Sequence, residues 1–241
     1  RGAQVTVLEQ APAIREVGAG LQITPNGARV LQALGLGDAL AAVAVRASAV
    51  ELRDGRDGPL VSRLGRDLRG TSAGWHFVHR ADLIDLLAEG ARAAGVRIEL
   101  DQRIAAVDLQ PHGPKVVPAL GDPSTPALLI GADGLHSVAR QALNGLVAPF
   151  FPRQIAWRAV IPAEPGAAPV AEVHMGAGRH LVSYPLRGGS LRNLVAVEER
   201  GRWVEEGWSI RDDAMEMRLA FQDFGPRVRG WLGQVEDCWL W

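Results

Sequence analysis

The chain has little of several features that define common protein classes. Its single cysteine, Cys238, excludes an internal disulfide and a cysteine-based zinc site, as is usual in a reducing cytoplasm. No stretch approaches the roughly 20 apolar residues of a membrane helix, so we expect no membrane span. The six histidines show no spacing typical of a metal site. The sequence therefore predicts a cytoplasmic protein without a bound metal.

The chain also lacks an excess of charge of either sign. Its formal net charge is -1, and the basic residues are scattered, so neither nucleic acid nor an anionic membrane is expected as a partner. With 241 residues, 47% of them hydrophobic, it is long enough for one large core or two coupled cores. It begins without methionine, and a strand pattern starts at Gln4. We therefore expect the natural polypeptide to extend upstream.

Helix and strand patterns alternate in the first 150 residues. A β-branched run at residues 4–9 is typical of a parallel strand, and helices are expected from about 25 to 35 and from 80 to 94. Residues 127–130 form a continuous apolar run, which predicts a strand buried on both faces. These patterns favour an α/β fold of the nucleotide-binding type.

Antiparallel patterns fill the remaining segments. Alternating runs at 49–53 and 60–64 flank a turn rich in Gly and Asp, and a second hairpin is expected around His112-Gly113-Pro114. Beyond Pro149, four alternating segments predict an antiparallel sheet. A helix capped by Asp212 or Asp213 should follow, with an apolar face made of Met215, Leu219, Phe221 and Phe224. The fold class is thus α/β, a Rossmann-like domain interleaved with a mostly antiparallel β-sheet domain.

Glu9 is the first residue with a chemical role to consider. It ends the first strand, where α/β sheets bind their ligands, and its two oxygens suit the hydroxyls of a ribose. A solvated acid at a strand end explains it equally well. The glycine-rich turn that normally precedes such an acid by about 20 residues is not among the eight residues before Glu9.

Three further segments have a ligand-binding and a plainer structural interpretation. Gly18-Ala19-Gly20 would let a backbone approach a flat ligand, or it is a tight loop before a helix. Arg80 suits a cofactor phosphate or a flavin-side oxygen, or it forms a surface pair with Asp82. Asp133, within Gly131-Ala132-Asp133-Gly134, binds a hydroxyl or caps the helix that follows.

Together these motifs resemble the class A FAD-dependent aromatic hydroxylases, a family of flavoprotein monooxygenases. The segments that carry the resemblance are Glu9 at a strand end, Val17-Gly-Ala-Gly-Leu21, Pro25-Asn26-Gly27, His79-Arg80-Ala81-Asp82-Leu83 and Gly131-Ala-Asp-Gly-Leu-His-Ser137 with Arg140. Ala156-Trp157-Arg158-Ala159 and His180-Leu-Val-Ser-Tyr184-Pro185 are most similar to the salicylate hydroxylase and 3-hydroxybenzoate 6-hydroxylase types. Two motifs of the family are missing from the sequence: a Gly-x-Gly-x-x-Gly before Glu9 and a Gly-Asp downstream of Ser137.

The resemblance implies FAD as cofactor, NADH or NADPH as transient reductant, and hydroxylation of a small phenolic acid by O₂ through a flavin hydroperoxide. It assigns these residues to the cofactor: Glu9, Gln10, Gly20, Leu21, Gln22, Arg80, Ile104, Asp133 and Gly134. It implies an FAD-binding domain at 1–47 and 80–149, with a substrate-domain hairpin at 48–79 and the rest of the substrate domain at 150–241. A homodimer is left open.

His180 is the candidate catalytic base, which would draw the substrate phenol toward phenolate. It lies four residues before Tyr184, and this even spacing places both side chains on one face of a strand. In the resembling hydroxylases, a His and a Tyr with this spacing face the substrate. Trp157 is a further candidate substrate contact. The plainer interpretations are a hydrogen-bonded sheet histidine, a half-buried strand tyrosine and a core tryptophan.

Two other functions stay open on the sequence. A chain without both terminal motifs could be a flavin-incompetent remnant that binds a partner or an aromatic ligand without turnover. Alternatively, it could keep the flavin and catalyse a related epoxidation or a urate-type hydroxylation, because one scaffold supports several reactions.

Overall fold

A computed structural model of the chain describes residues 2–14, 19–56, 58–65, 73–201 and 210–241. The helices are α1 (Pro25–Ala33), α2 (Gly37–Val43), α3 (Arg80–Ala93), α4 (Val138–Asn144), α5 (Ala214–Ala220) and α6 (Pro226–Gly233). The strands are β1 (Thr6–Leu8), β2 (Gly20–Ile23), β3 (Val45–Arg46), β4 (Ala49–Asp54), β5 (Leu60–Leu64), β6 (His76–His79), β7 (Arg97–Glu99), β8 (Ile104–Gln110), β9 (Gly113–Pro118), β10 (Gln154–Pro162), β11 (Val170–Gly176), β12 (Arg179–Leu186), β13 (Leu191–Glu199), β14 (Arg211–Asp212) and β15 (Cys238–Leu240).

Two compact units divide the chain. The smaller unit combines Arg1–Ile14 with Ala88–Phe151, and the larger unit combines Arg15–Leu87 with Pro152–Trp241. Each unit therefore contains two separate stretches of sequence, which is the interleaving that the patterns predicted. The assignment of residue ranges to cofactor and substrate domains is a functional one, and it stays a prediction.

In the smaller unit, β1 is a parallel strand, as predicted. It pairs in parallel with β7, with Val7 opposite Ile98. The β8–β9 hairpin is antiparallel, also as predicted. Helix α4 packs beside β8 and begins at Ser137, whose side-chain oxygen accepts a hydrogen bond of 2.9 Å from the backbone N–H of Arg140. Ser137 is thus the N-cap of this helix.

The predicted buried strand at residues 127–130 is wrong. This segment is not a strand, and Leu128 and Ile130 are 77% and 80% exposed. A run that is apolar on both faces becomes a central strand only when neighbouring strands satisfy its backbone N–H and C=O groups. Within the described residues, no strand pairs with residues 127–130. The apolar run alone could not reveal whether such partners exist.

The larger unit is built around an eight-stranded sheet with the order β14-β15-β10-β13-β12-β11-β4-β5. Its pairs are antiparallel except for β11 and β4, which run parallel with Glu172 opposite Glu51. The predicted hairpin of β4 and β5 and the predicted antiparallel sheet beyond Pro149 are confirmed. The α/β fold class, with a large and mostly antiparallel sheet, is confirmed as well.

Helices α5 and α6 pack on one face of this sheet. Asp213 caps α5 by accepting a hydrogen bond of 2.8 Å from the N–H of Met215, so the second of the two predicted caps is the one used. The predicted apolar face of this helix is partly wrong. Met215 and Leu219 are about half exposed, whereas Met217 and Phe221 are buried. The helix has two apolar rows with similar spacing, one with Met215 and Leu219 and the other with Met217 and Phe221. In so short a helix, packing against the sheet decides which row is buried.

A small sheet with the order β2-β6-β3 completes the larger unit. It starts at Gly20, where the sequence favoured a tight loop; Gly18 and Val17 lie outside the described residues. Gly20 pairs with His79, and this pairing leads directly into α3. Among the described residues, every helix is too short or too polar to traverse a bilayer.

Candidate functional site

In the smaller unit, Glu9 is held at the end of β1 by its own backbone. Its N–H donates to the carbonyl oxygen of Glu99 at 2.9 Å, and its carbonyl oxygen accepts from the N–H of Gln102 at 2.9 Å. The half-buried carboxylate accepts a hydrogen bond of 2.8 Å from the N–H of Ala11. Gln10 follows it and is exposed. An acid fixed in this way at a strand end can present its oxygens to hydroxyl groups of a ligand.

Asp133 in the same unit supports the N-terminus of α4, whose N-cap is Ser137. Its two carboxylate oxygens accept hydrogen bonds from the Ser137 hydroxyl at 2.5 Å and from the N–H of Ala139 at 3.1 Å. Burial acts to raise the pKa of Asp133, but these hydrogen bonds outweigh it and hold the pKa below its ordinary value. Gly134 adopts φ = 75°, a conformation that favours glycine. The structural interpretation of Asp133 is therefore realised, and a cofactor contact stays a proposal.

Ile104, the last of the predicted cofactor residues in the smaller unit, is the first residue of β8. It is half-buried and lies opposite Pro118 of β9. Its backbone is thus placed at the start of the hairpin, and its predicted role near the adenine stays a prediction.

The other predicted cofactor residues lie in the larger unit, on β2 and at the start of α3. Leu21 and Gln22 follow Gly20 along β2, and the Gln22 side-chain oxygen accepts a hydrogen bond of 3.0 Å from the indole N–H of Trp75. The backbone N–H of Arg80 donates to the carbonyl oxygen of Ala19 at 2.9 Å. This bond ties the first residue of α3 to the residue before β2, so the predicted residues of the two elements are brought together.

One face of the large sheet carries two of the predicted site residues, His180 and Tyr184. We call it the open face and define it by Ala156, Arg158, His180, Val182, Tyr184, Asn193, Val195 and Val197, which alternate with residues of the opposite face along β10, β12 and β13. Tyr184 and Asn193 are buried, and the other six are half-buried. His180 and Tyr184 share this face, as predicted. With about 3.3 Å per strand residue, their Cα atoms are roughly 13 Å apart. They therefore mark two positions along the face, with Val182 between them.

His180 has the properties of a neutral base. It is half-buried, and burial lowers its pKa from the ordinary value. A histidine with a lowered pKa is uncharged at neutral pH, so one ring nitrogen is free of a proton and can accept one.

Tyr184 is enclosed to a much greater extent. It is 3% exposed, and its ring centroid lies 5.0 Å from that of Phe77. A Cβ atom on Gly20 would lie 2.7 Å from Cε2 of Tyr184, so the ring rests directly on the backbone of β2. Burial raises the pKa of Tyr184, while the charge of Arg158 and the amide of Asn193 lower it. The hydroxyl is thus protonated at neutral pH and can donate a hydrogen bond.

Arg158 is a residue of the open face that the sequence interpretation did not single out. It lies on the open face opposite Val195, its charge acts on Tyr184, and its guanidinium carbon is 3.7 Å from the ring centroid of Trp241. The guanidinium carbon of Arg80 is 5.8 Å from the same ring. Strand alternation was the signal that could have found it, because Arg158 follows Trp157 directly and its side chain therefore points to the opposite face of the sheet.

Trp157 is corrected by the same alternation. It points to the face covered by α5 and is fully buried there, with its ring against Phe221 at 6.4 Å between centroids. Its indole N–H donates to a carboxylate oxygen of Asp212 at 2.6 Å. Trp157 therefore belongs to the core on the covered face, and we do not keep it as a substrate contact.

Comparison with known proteins decides the family. A sequence model described as "FAD binding domain" matches residues 1–184. The chain belongs to this FAD-binding family. It is 38% identical over 206 residues to the 3-amino-4-hydroxybenzoate 2-monooxygenase of Streptomyces cremeus, covering 82% of the chain and 51% of that relative. It is 33% identical over 248 residues to the 3-hydroxybenzoate 6-hydroxylase of Polaromonas naphthalenivorans (strain CJ2), covering 95% and 59%.

The same fold occurs in solved structures of other proteins. CtdE, in a crystal structure with FAD and its substrate 4, superimposes with a TM-score of 0.87 at 18% identity, over 99% of this chain and 62% of that one. The resemblance to class A FAD-dependent aromatic hydroxylases is confirmed at the level of the family. The chain spans about half to three-fifths of the length of these curated relatives.

Proposed function

We propose that the chain is part of an FAD-dependent monooxygenase that hydroxylates a small phenolic acid with NADH or NADPH and O₂. The observation that carries this proposal is the open face, on which a neutral base, a cation and a tyrosine hydroxyl lie around apolar valines. A pocket for an aromatic acid needs this combination of apolar walls and a few polar groups. The substrates named for the two hydroxybenzoate relatives are of the same chemical class.

His180 would act as the base toward the substrate. The lone pair of its unprotonated ring nitrogen accepts the proton of the substrate phenol, and the ring becomes more electron-rich as phenolate character develops. Its lowered pKa fits this role, because burial favours the neutral form that can accept a proton.

Arg158 and Tyr184 would hold the acidic substrate. The guanidinium can bind a carboxylate or a developing phenolate, and stacking on Trp241 restricts its position. Tyr184 donates from a hydroxyl that stays protonated. Val182 and Val195 between these groups offer apolar surface to the ring and help to exclude water.

The residues proposed to hold FAD fit it by their chemistry. The fixed carboxylate of Glu9 suits the ribose hydroxyls, and Arg80, at the start of α3, suits a phosphate or flavin oxygen. Gln10, Gly20, Leu21, Gln22, Ile104, Asp133 and Gly134 are proposed as its further contacts. When bound, FAD would supply the redox chemistry between the nicotinamide cofactor, O₂ and the ring.

The test is an absorption spectrum and a turnover assay on the polypeptide that contains this chain. We expect a flavin spectrum that changes on addition of salicylate or 3-hydroxybenzoate, and NAD(P)H oxidation stimulated by one of them with a hydroxylated product. A purified protein that takes up no FAD would overturn the proposal. If the protein binds FAD but forms an epoxide from an alkene or hydroxylates urate, the proposed reaction would change to one of these related flavin reactions.

A further inference from the structure

Asn193 lies at the junction between β2 and the open face. It is fully buried on β13 and lies directly opposite Tyr184 of β12 in the antiparallel register. A Cβ atom on Gly20 would lie 2.8 Å from Cγ of Asn193 and 2.7 Å from Cε2 of Tyr184. The three residues are therefore in direct contact, and only a glycine allows β2 to come this close.

The backbone of β2 fixes which way the Asn193 amide points. The N–H of Gly20 donates to Oδ1 of Asn193 at 2.7 Å. Because a backbone N–H needs an acceptor, the atom facing Gly20 must be the oxygen and not the nitrogen. The NH₂ group must then point away from β2.

The NH₂ group of Asn193 is a buried donor that makes no hydrogen bond to the described residues. Nδ2 has no partner within hydrogen-bond geometry in the part of the chain that the structure describes. The amide nevertheless acts on Tyr184, since it opposes the effect of burial on the tyrosine pKa. Asn193 and Tyr184 lie opposite each other and both contact Gly20, so a small movement of these side chains can bring the donor to the hydroxyl oxygen.

We propose that Asn193 is a positioning residue that orients Tyr184. Its oxygen is held by the N–H of Gly20, and its NH₂ donates to the hydroxyl oxygen of Tyr184, so that the tyrosine proton is directed to the substrate. This inference rests on the proposed function, in which Tyr184 contacts the substrate. It also links Gly20, at the start of the proposed cofactor strand, to a proposed substrate contact through one side chain.

The proposal has a chemical consequence for Tyr184. A hydroxyl that accepts one hydrogen bond becomes a stronger donor in the next, because hydrogen bonds in a chain polarise each other. The amide of Asn193 therefore strengthens the bond from Tyr184 to a phenolate or carboxylate oxygen. Arg158 is the charged group that acts on Tyr184 in the same direction.

The test uses the fact that Tyr184 is the only tyrosine in the chain. Growth on 3-fluorotyrosine places a fluorine on this ring and also makes its phenol more acidic. In a longer polypeptide with further tyrosines, the signal that disappears in Tyr184→Phe is the ¹⁹F signal of Tyr184. We expect both Asn193→Leu and Asn193→Asp to raise the pH at which this signal titrates, by about one pH unit or more. Asn193→Asp retains an acceptor for Gly20 but adds a negative charge that by itself raises this pH, so Asn193→Leu is the deciding variant. Asn144→Asp, at an exposed helix end, is the control.

A second measurement does not depend on how well the Asn193 variants fold. The chain has three asparagines, Asn26, Asn144 and Asn193, so ¹⁵N-asparagine labelling gives few side-chain signals. Tyr184→Phe, which removes one hydroxyl, should move the Asn193 amide signal and leave the other two in place. An unmoved Asn193 signal, or ¹⁹F titrations that match the Asn144→Asp control, would overturn the proposal.

Turnover then links the contact to the reaction. We expect Asn193→Leu to lower kcat/KM for the phenolic acid about tenfold when Tyr184 is present and less than about twofold in a Tyr184→Phe background. Equal losses in the two backgrounds would show that Asn193 does not act through Tyr184. The NMR measurements need neither FAD nor substrate, so they test the contact between Asn193 and Tyr184 even if the proposed function is wrong. The turnover measurements test the proposed function separately.

Discussion

The two faces of the eight-stranded sheet use their polar residues in different ways. On the covered face, under α5 and α6, polar groups bond to one another. Glu172 accepts from Arg227 at 2.7 Å and lies 3.3 Å from His174, and the indole N–H of Trp231 donates to Glu164 at 2.7 Å. On the open face, His180 is half-buried, and burial lowers its pKa.

The difference lies in how each face satisfies its polar groups. A buried charge must be paired, so an ion-pair network is expected wherever helices cover charged strand residues. Arg192, 3% exposed, follows this rule, with bonds to Glu164 at 2.7 Å and to Ser183 at 2.8 Å. The half-buried residues of the open face are not bound by this requirement, and the proposed function assigns them to the substrate. Substitutions on the covered face should thus change stability, and those on the open face should change turnover.

The largest expected effect on stability comes from the covered face. Trp157→Ala should lower the free energy of unfolding by about 3–5 kcal/mol, since it leaves a cavity against Phe221 and removes the donor to Asp212. Urea unfolding measures this, and Trp157→Phe, which keeps most of the volume, should cost less. A Trp157→Ala protein of unchanged stability with weakened substrate binding would return Trp157 to the substrate site.

On the open face, His180→Ala should affect turnover and not stability. If His180 is the base, hydroxylation of un-ionised phenols should fall by about 10²-fold or more, while the free energy of unfolding changes by less than about 1 kcal/mol. FAD binding should be retained, and substrates that are already ionised should lose less. His112→Ala, in the exposed β8–β9 turn, is the control. Equal losses for ionised and un-ionised substrates would remove the base role.

A smaller effect is expected where β2 packs on the open face. Gly20→Ala places a methyl group within 2.8 Å of both Tyr184 and Asn193, so it should destabilise the protein by about 1–3 kcal/mol. Gly230→Ala is the matched control, because a Cβ there meets nothing within 4 Å in an exposed part of α6 and should be neutral or stabilising. Thermal unfolding compares the two. Equal responses would mean that β2 does not pack as tightly as the structure shows.

The smallest effect concerns acid stability on the covered face. Burial acts to raise the pKa of Glu164, but bonds from Trp231 and Arg192 lower it to about 2. Its folded-state pKa is below the unfolded value, so its stabilisation is present above pH 4.5 and is lost as the pH falls toward 2. Glu164→Gln should flatten the loss of stability in this window, by a small amount because the side chain is 49% exposed. Glu89→Gln, at an exposed position, is the control and should leave the loss of stability in this window unchanged.

Much of the local structure was predictable because it depends on neighbours in sequence. Strand β1, helix α1 beginning at Pro25, the β4–β5 hairpin and the Asp213 cap follow from residues within a few positions. Strands β2 and β6 were not foreseen. Each is four residues long, and their pairing joins Gly20 to His79, a separation that no local pattern encodes.

The candidate site was predictable in part for the same reason. Even spacing alone placed His180 and Tyr184 on one face, and the family motifs marked Glu9, Arg80 and Asp133. Asn193 carries no signal of its own, since its importance comes from a contact with Gly20 across 173 positions. Arg158 was visible in the alternating pattern, but nothing local ranked it above its neighbour Trp157.

The sequence by itself determined the alternation along β10 and β12, because a strand turns successive side chains to opposite faces whatever surrounds it. It also determined the family through motifs of fixed spacing. Only the tertiary structure decided which of the two faces is covered, and thereby made Trp157 a core residue and Arg158 a residue of the site. That choice depends on α5 and α6, which lie more than 50 residues further along the chain and bury one face by packing against it.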